Sequence, residues 1–238
     1  MRRAFLDALV GRISDRAGEG ILRVGINGVD GSGKTTLADE LAPLVAGATG
    51  LPVIRASIDG FHNPRAVRYT QGRSSPRGFY EDSFNLKLFR ELLLDPLSPG
   101  GNRLYRPAAF DHRIDSTVIG EPQLAATPSI LIVDGIFLLR PELAGYWDLS
   151  IFLDVPFTQS FARMSRRDGS PPEESAAENL RYRDGQRLYF EACRPQERAD
   201  VLVDYANLER PAIPAGVRTP KSNQAYRATL SAPAARPR

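Results

Sequence analysis

Eight residues, Gly28-Val29-Asp30-Gly31-Ser32-Gly33-Lys34-Thr35, constrain this chain more than any other segment. They match G-x-x-x-x-G-K-[ST], with an apolar run from Leu22 to Asn27 before them and a helix-like run, TTLADELA, beginning at Thr35. A strand that delivers a glycine-rich turn into a helix start lets backbone N–H groups close round phosphate oxygens, and the helix adds its positive end. Gly28, Asp30, Gly31, Ser32, Gly33, Lys34, Thr35 and Thr36 are therefore the candidate nucleotide-binding residues. Lys34 supplies a mobile cation for β- and γ-phosphates, and the Thr35 hydroxyl a ligand for Mg²⁺. The expected cofactors are ATP, or another nucleoside triphosphate, and Mg²⁺. Neither Lys87 nor Lys221 sits in an N-K-x-D pattern, so guanine reading is not indicated.

The rest of the chain repeats the strand-then-helix order. Candidate strands are Leu22 to Asn27, Val53 to Asp59, Ile130 to Asp134, Leu149 to Asp154 and Val201 to Asp204. They are dense in Val, Ile and Leu with little alternation, as strands buried on both faces should be. Helix-like stretches are Lys34 to Val45, Phe84 to Leu94, Thr158 to Arg167 and Ala176 to Cys193. This pattern predicts an α/β fold, a parallel β-sheet flanked by helices on both faces. One domain over residues 1–210 is expected, opened by an amphipathic helix at about residues 4–16 from the spacing of Leu6, Leu9, Val10 and Ile13. The stretches Asn63 to Gly78 and Pro96 to Pro128 are polar and too long to be plain connections, which marks them as functional or disordered segments.

Charge narrows the partners. The net charge is +3, but Arg218, Lys221, Arg227, Arg236 and Arg238 lie in residues 211–238 with no acid among them. The other 26 bases face 28 acids, so the body is slightly acidic and the tail alone is basic. That Pro- and Ala-rich tail is expected to be disordered. Nucleic acid is not an expected partner, and neither is a membrane, since no apolar run approaches the ~20 residues a span needs. The start, MRRAFLDALVGRISDR, lacks the unbroken apolar stretch of a signal peptide. A lone Cys193 excludes an internal disulfide framework, and cytoplasmic placement is expected.

Two candidate strands end in acids followed by glycine, Asp59-Gly60 and Asp134-Gly135. Ligands of open α/β sheets bind at the carboxyl ends of strands, which puts both carboxylates at the phosphate site. Four apolar residues then Asp134 suit a Mg²⁺ ligand, direct or through water. Asp59 is then the candidate to accept the proton of an attacking hydroxyl.

Gly28 to Thr36, Ser57-Ile58-Asp59-Gly60-Phe61-His62 and Val133-Asp134-Gly135-Ile136-Phe137-Leu138-Leu139 together resemble the uridine kinase, phosphoribulokinase and bacterial pantothenate kinase group. The resemblance continues through Tyr105-Arg106-Pro107-Ala108-Ala109-Phe110-Asp111, through Arg163-Met164-Ser165-Arg166-Arg167-Asp168, and through Cys193-Arg194-Pro195 with Ala199-Asp200-Val201-Leu202-Val203. It implies a P-loop NTPase fold with a mobile lid. It implies catalytic roles for Asp59, Lys34, Arg163 and Arg167, and a metal pair, Thr35 and Asp134, with Asp134 standing where uridine kinases usually have Glu. Arg163 and Arg167 are four apart, so on a helix they share a face and could clamp phosphates as the lid closes.

On the acceptor side the resemblance suggests His62, Arg77, Tyr105, Phe110, Asp111, His112 and Arg113. Phe110 takes the place of a family Tyr, and Asp59-Gly60-Phe61 looks more like the pantothenate kinase branch. The implied reaction is ATP-dependent phosphorylation of a hydroxyl on a small metabolite. A nucleoside, uridine or cytidine, going to its 5'-monophosphate is the leading expectation. The alternatives are a non-nucleoside alcohol (pantothenate, a sugar or a sugar phosphate) and a regulatory nucleotide-dependent ATPase anchored by the tail.

Overall fold

A computed structural model describes residues 1–214. The chain runs α1 (Arg2–Ser14), β1 (Ile21–Gly28), α2 (Lys34–Thr49), β2 (Val53–Ser57), α3 (Pro76–Asp82), α4 (Leu86–Phe89), β3 (Ser129–Gly135), β4 (Leu149–Asp154), α5 (Phe157–Asp168), α6 (Ala177–Cys193) and β5 (Val201–Asp204). Single helical turns and two short antiparallel pairings, Leu104–Tyr105 with Gln123–Leu124 and Phe110–Asp111 with Ser116–Thr117, lie between them.

The five strands form one sheet in the order β2-β3-β1-β4-β5, with every pairing parallel. Apolar residues on both faces explain why. On β3, Ile130 and Ile132 pack with Leu9, Ile13, Leu37 and Leu41 of α1 and α2. Leu131 and Val133 point the other way, into a cluster with Phe79, Phe89, Trp147 and Tyr189. Both layers need cover, so helices occupy both sides. β1 is central, pairing Val24 with Ile132 of β3 and with Leu149 of β4, so the turn that leaves it at Gly28 opens in the middle of the sheet's carboxyl edge.

All five expected strands are present, with one informative change of boundary. β2 stops at Ser57, and Asp59 sits in a 3₁₀ turn, Ile58–Phe61, where the Ser57 hydroxyl accepts from the Asp59 N–H at 3.3 Å. Asp59 is thus carried one turn beyond the sheet. The helix expected from Phe84 starts at Leu86, capped by Asn85, whose Oδ1 accepts from Leu88 N–H at 3.0 Å, and runs on as a π turn, Arg90–Leu94. The first helix occupies residues 2–14 and buries Phe5, Leu9 and Ile13, a strict spacing of four, with Leu6 and Val10 at the margin. Each buried side chain contributes about 1.5–3 kcal/mol, which fastens α1 across α2.

Past β5 the chain is still attached: Asp204 and Ala212 exchange both backbone hydrogen bonds, at 2.8 and 3.0 Å. The tail expected to be disordered lies, from residue 215 on, outside the described residues.

Candidate active site

The glycine-rich turn is shaped by backbone that other residues reach only with strain. Gly31 and Gly33 hold φ of 66° and 92°. At Gly31 a Cβ would stand 2.6 Å from the Ser160 carbonyl, so the loop also lies tight against α5. The Ser160 hydroxyl donates to the Asp30 carbonyl, and Arg163 Nη1 to the Ser32 carbonyl at 3.1 Å. From the other flank, Gln186 of α6 accepts from the Asp30 N–H at 3.1 Å and donates to its carboxylate at 3.3 Å. Two helices therefore brace the loop.

Inside it, Lys34 is buried and folded over the turn, donating to the Val29 carbonyl at 2.7 Å. Burial pushes its ammonium pKa down, while Asp30, Asp59 and Asp134 pull it back. Burial pushes the Asp30 carboxyl up, opposed by Lys34. At the end of β3 the buried Asp134 accepts from the Thr35 hydroxyl at 2.6 Å, and Arg55 Nη2 stands 2.9 Å from its other oxygen. A hydroxyl and a carboxylate this close are hard oxygen donors of the kind Mg²⁺ takes, one or two from protein and the rest from phosphates and water. The pair fits that ion.

Two adjoining cavities open from this loop. The first, about 130 Å³, is walled by Asp30, Gly31, Gly33, Lys34, Thr35, Thr36, Asp59, Asp134, Gly135, Ile136 and Arg167. The second, about 240 Å³, shares Asp30, Asp59, Ile136 and Arg167 with the first. Its far side is made by His62, Arg68, Tyr69, Phe79, His112, Arg181 and Tyr182, among others. The rings of His62 and His112 lie 4.4 Å apart between centres, tilted by 34°. His62 Nδ1 lies 2.9 Å from the Asp59 carbonyl, which can only accept, so Nδ1 carries the proton and Nε2 is left as an acceptor. Burial pushes the His62 pKa down. A more voluminous cavity, about 540 Å³, lies at the opposite edge of the sheet beside Ile21, Leu22 and Arg23, remote from the phosphate loop.

No protein-family model matches this chain. Sequence relatives include the pantothenate kinases of Streptomyces avermitilis, 27% identical over 165 residues (64% of this chain, 49% of that one), and of Lacticaseibacillus casei, 32% identical over 139 residues (56% and 44%). The chain thus spans about half the length of the curated relatives it matches. Among solved structures, a Bacillus stearothermophilus protein described as a possible uridine kinase superposes with TM-score 0.67 at 26% identity, over 85% of this chain and 98% of that one. The chain is thus similar in sequence to pantothenate kinases and in fold to a protein described as a possible uridine kinase, the uridine kinase-like group of P-loop kinases.

Within this P-loop fold the residues expected from sequence fall into three sets. Asp30, Gly31, Gly33, Lys34, Thr35, Thr36, Asp134 and Asp59 converge on the first cavity, whereas Gly28 and the fully buried Ser32 lie behind its wall. Arg163 and Arg167 part company. Arg167 reaches both cavities, whereas Arg163 donates to the carbonyls of Ser32, Tyr205 and Ala206 and ties the loop to the end of β5. Of the acceptor candidates, His62 and His112 line the second cavity. Arg77 pairs with Glu81 on the exposed side of α3, and the Tyr105 hydroxyl donates to Gln123. Phe110 is buried in its hairpin, and Asp111 pairs with Arg113 at 2.7 Å. None of these five walls either cavity.

Arg68, Tyr69, Arg181 and Tyr182 take their place. Arg68 and Tyr69 lie in the polar stretch Asn63 to Gly78, whose length alone marks it as functional or disordered. Arg181 and Tyr182 lie on a helix whose sequence, AENLRYRDGQRLYFEAC, has no simple apolar stripe and so gives no sign of which face turns inward.

Proposed function

We propose that the chain transfers the γ-phosphoryl group of ATP to a hydroxyl of a small metabolite in the cytoplasm. The observation that carries this reading is the shared wall: Asp59 and Arg167 belong at once to the phosphate-loop cavity and to the cavity beside it. A phosphoryl group crossing between two such chambers would pass both residues. The acceptor oxygen bonds to the γ-phosphorus as the bond to the β-phosphate oxygen breaks, and ADP leaves. Asp59, which walls both cavities, takes the hydroxyl proton. Lys34 and Arg167 face the charge on the transferring group, and the backbone N–H groups of the loop hold the rest of the chain of phosphates. Mg²⁺, held by Thr35 and Asp134, would neutralise charge between the β- and γ-phosphates.

The acceptor expected from sequence, a nucleoside such as uridine, has the support of the Bacillus stearothermophilus neighbour. The alternative, a non-nucleoside alcohol, has the support of the pantothenate kinase relatives. The deciding experiment follows ATP consumption with Mg²⁺ across nucleosides, pantothenate and sugars, and weighs each product for one added phosphate. A phosphorylated alcohol is the expected result. ATP hydrolysis that no acceptor accelerates, with free phosphate as the product, would overturn the kinase reading.

A further inference from the structure

The second cavity is lined by more guanidinium groups than carboxylates. Three guanidinium groups, of Arg68, Arg167 and Arg181, line it against the carboxylates of Asp30 and Asp59. Those two acids also wall the loop's own cavity, beside Lys34. Arg167 has a neighbour in Asp168 at 2.9 Å, and Arg68 touches Asp115 at 3.3 Å.

Arg181 is different. It is 8% exposed, and among the described residues it has no carboxylate partner. Its Nη1 donates to the Arg73 carbonyl at 2.9 Å, and its Nε is buried without a hydrogen-bond partner, as is the Nε of Arg68. The rings of Tyr69, Phe79 and Tyr182 lie 5.0, 5.4 and 5.4 Å from its guanidinium carbon. Aromatic faces steady a cation and fix its plane, but they do not neutralise it. Asp30 attracts it across the cavity, but no carboxylate stands in ion-pair contact with it, and a buried charge without a contacting partner is costly. Arginine also suits one kind of ligand in particular, since its rigid fork matches the two oxygens of a carboxylate or phosphate.

We propose that the hydroxylated acceptor is an anion, its carboxylate or phosphate received by Arg181 and Arg68 while its hydroxyl faces Asp59. This rests on the kinase reading above and narrows it to hydroxy acids and phosphorylated sugars. The cavity's size, about 240 Å³, suits a compact molecule of that kind. A neutral nucleoside would leave Arg181 as it is, buried and without an anion in contact.

The test uses matched acceptors on the full chain with Mg²⁺ and ATP: glycerate against glycerol, pantothenate against pantothenol, ribose 5-phosphate against ribose, with uridine as the neutral nucleoside. Product is measured by mass, and binding separately by the shift in Tm. The expected result is a charged member favoured over its neutral mate by about 10–100-fold in kcat/KM, the range for a hydrogen-bonded charged pair. A preference in the carboxylate pairs names a hydroxy acid, and one in the phosphate pair a sugar phosphate. Arg181→Gln should abolish the preference while leaving the KM for ATP unchanged. Because Arg181 is buried, Arg68→Gln is measured beside it and should weaken the same preference. Equal or better use of uridine or of the neutral mates overturns the proposal, as does a preference that survives both substitutions. Should no acceptor be phosphorylated, the kinase reading fails and the Tm shift decides the anion separately. A rise with the charged probes that Arg181→Gln removes supports it, and no rise with any of them overturns it.

Discussion

The Thr35 hydroxyl donates to Asp134 at 2.6 Å, joining the first turn of the helix behind the phosphate loop to the end of the neighbouring strand. Arg55 Nη2 holds the second oxygen of the same carboxylate at 2.9 Å and also pairs with Asp39. Asp134 is thereby fixed from both sides before any ligand arrives, and the two sides can be separated by substitution.

Asp134→Asn removes the charge that faces Arg55 and weakens the metal pair. Breaking one side of a buried ion pair costs about 3 kcal/mol, so a clear drop in urea midpoint is expected. Turnover should need at least ~10-fold more Mg²⁺, following the loss of a charged oxygen ligand. Thr35→Val should show the Mg²⁺ effect with a smaller stability loss, because the Arg55 contact survives. A Mg²⁺ titration of turnover in both variants checks this, and an unchanged half-saturation in both would remove the pair from the metal site.

Asp59→Asn should bind ATP as the wild type does while kcat falls by ~10²–10⁴, the usual worth of a general base. Lys34→Ala should lose turnover and much of the ATP affinity together. Single-turnover rates alongside nucleotide titrations distinguish the two patterns. Near-wild-type turnover in Asp59→Asn would take Asp59 out of the mechanism.

Tyr189 is fully buried, and its hydroxyl accepts from Leu139 N–H at 3.1 Å and from Asn27 Nδ2 at 2.5 Å. Tyr189→Phe leaves both donors buried without a partner, at about 1–3 kcal/mol apiece. A stability loss of roughly 3 kcal/mol by urea denaturation is expected. A loss under about 1 kcal/mol would mean that water replaces the hydroxyl.

His62 predicts a pH dependence of stability. Burial lowers its folded pKa below the ordinary imidazole value, so between the two values the unfolded chain takes up a proton that the folded chain resists. Its contribution is complete above the unfolded pKa of about 6.5, is lost as pH falls below that, and stops changing once the folded imidazole is protonated as well. For one proton the slope is at most about 1.4 kcal/mol per pH unit. Denaturation at pH 7.5 and 5.5 should show a larger fall for wild type than for His62→Gln. Equal falls would exclude His62 as the source.

The phosphate loop, its strand and its helix were legible because the chemistry depends on the order of a few residues along the chain. Asp134 was legible for the same reason, standing at the end of a run of buried apolar residues. The second cavity was only half readable. Its walls come from the 3₁₀ turn after β2, the segment before α3, the hairpin carrying His112, and the inner face of α6. Which side of α6 faces in is decided by packing: Gly185 lies so close to α3 that a Cβ there would stand 2.7 Å from Phe79. That contact turns Arg181 towards the cavity wall. No spacing within α6 reveals it, because the partner is about a hundred residues away. Tyr105 and Arg113 look like site residues in a linear reading, yet the pairing of Tyr105 with Gln123 and the separate hairpin at Phe110–Thr117 fold them onto Gln123 and Asp111.

Helix α5 works as a ruler laid against the nucleotide cradle. Ser160 and Arg163 pin its first turns to carbonyls of the phosphate loop, and Arg167 follows one turn later. The separation between cradle and cation is thus fixed by helical pitch rather than by the reach of a loose segment. Gly169, at φ 75°, ends the helix two residues beyond. Whatever bends at that glycine, the charge of Arg167 stays in register with the loop.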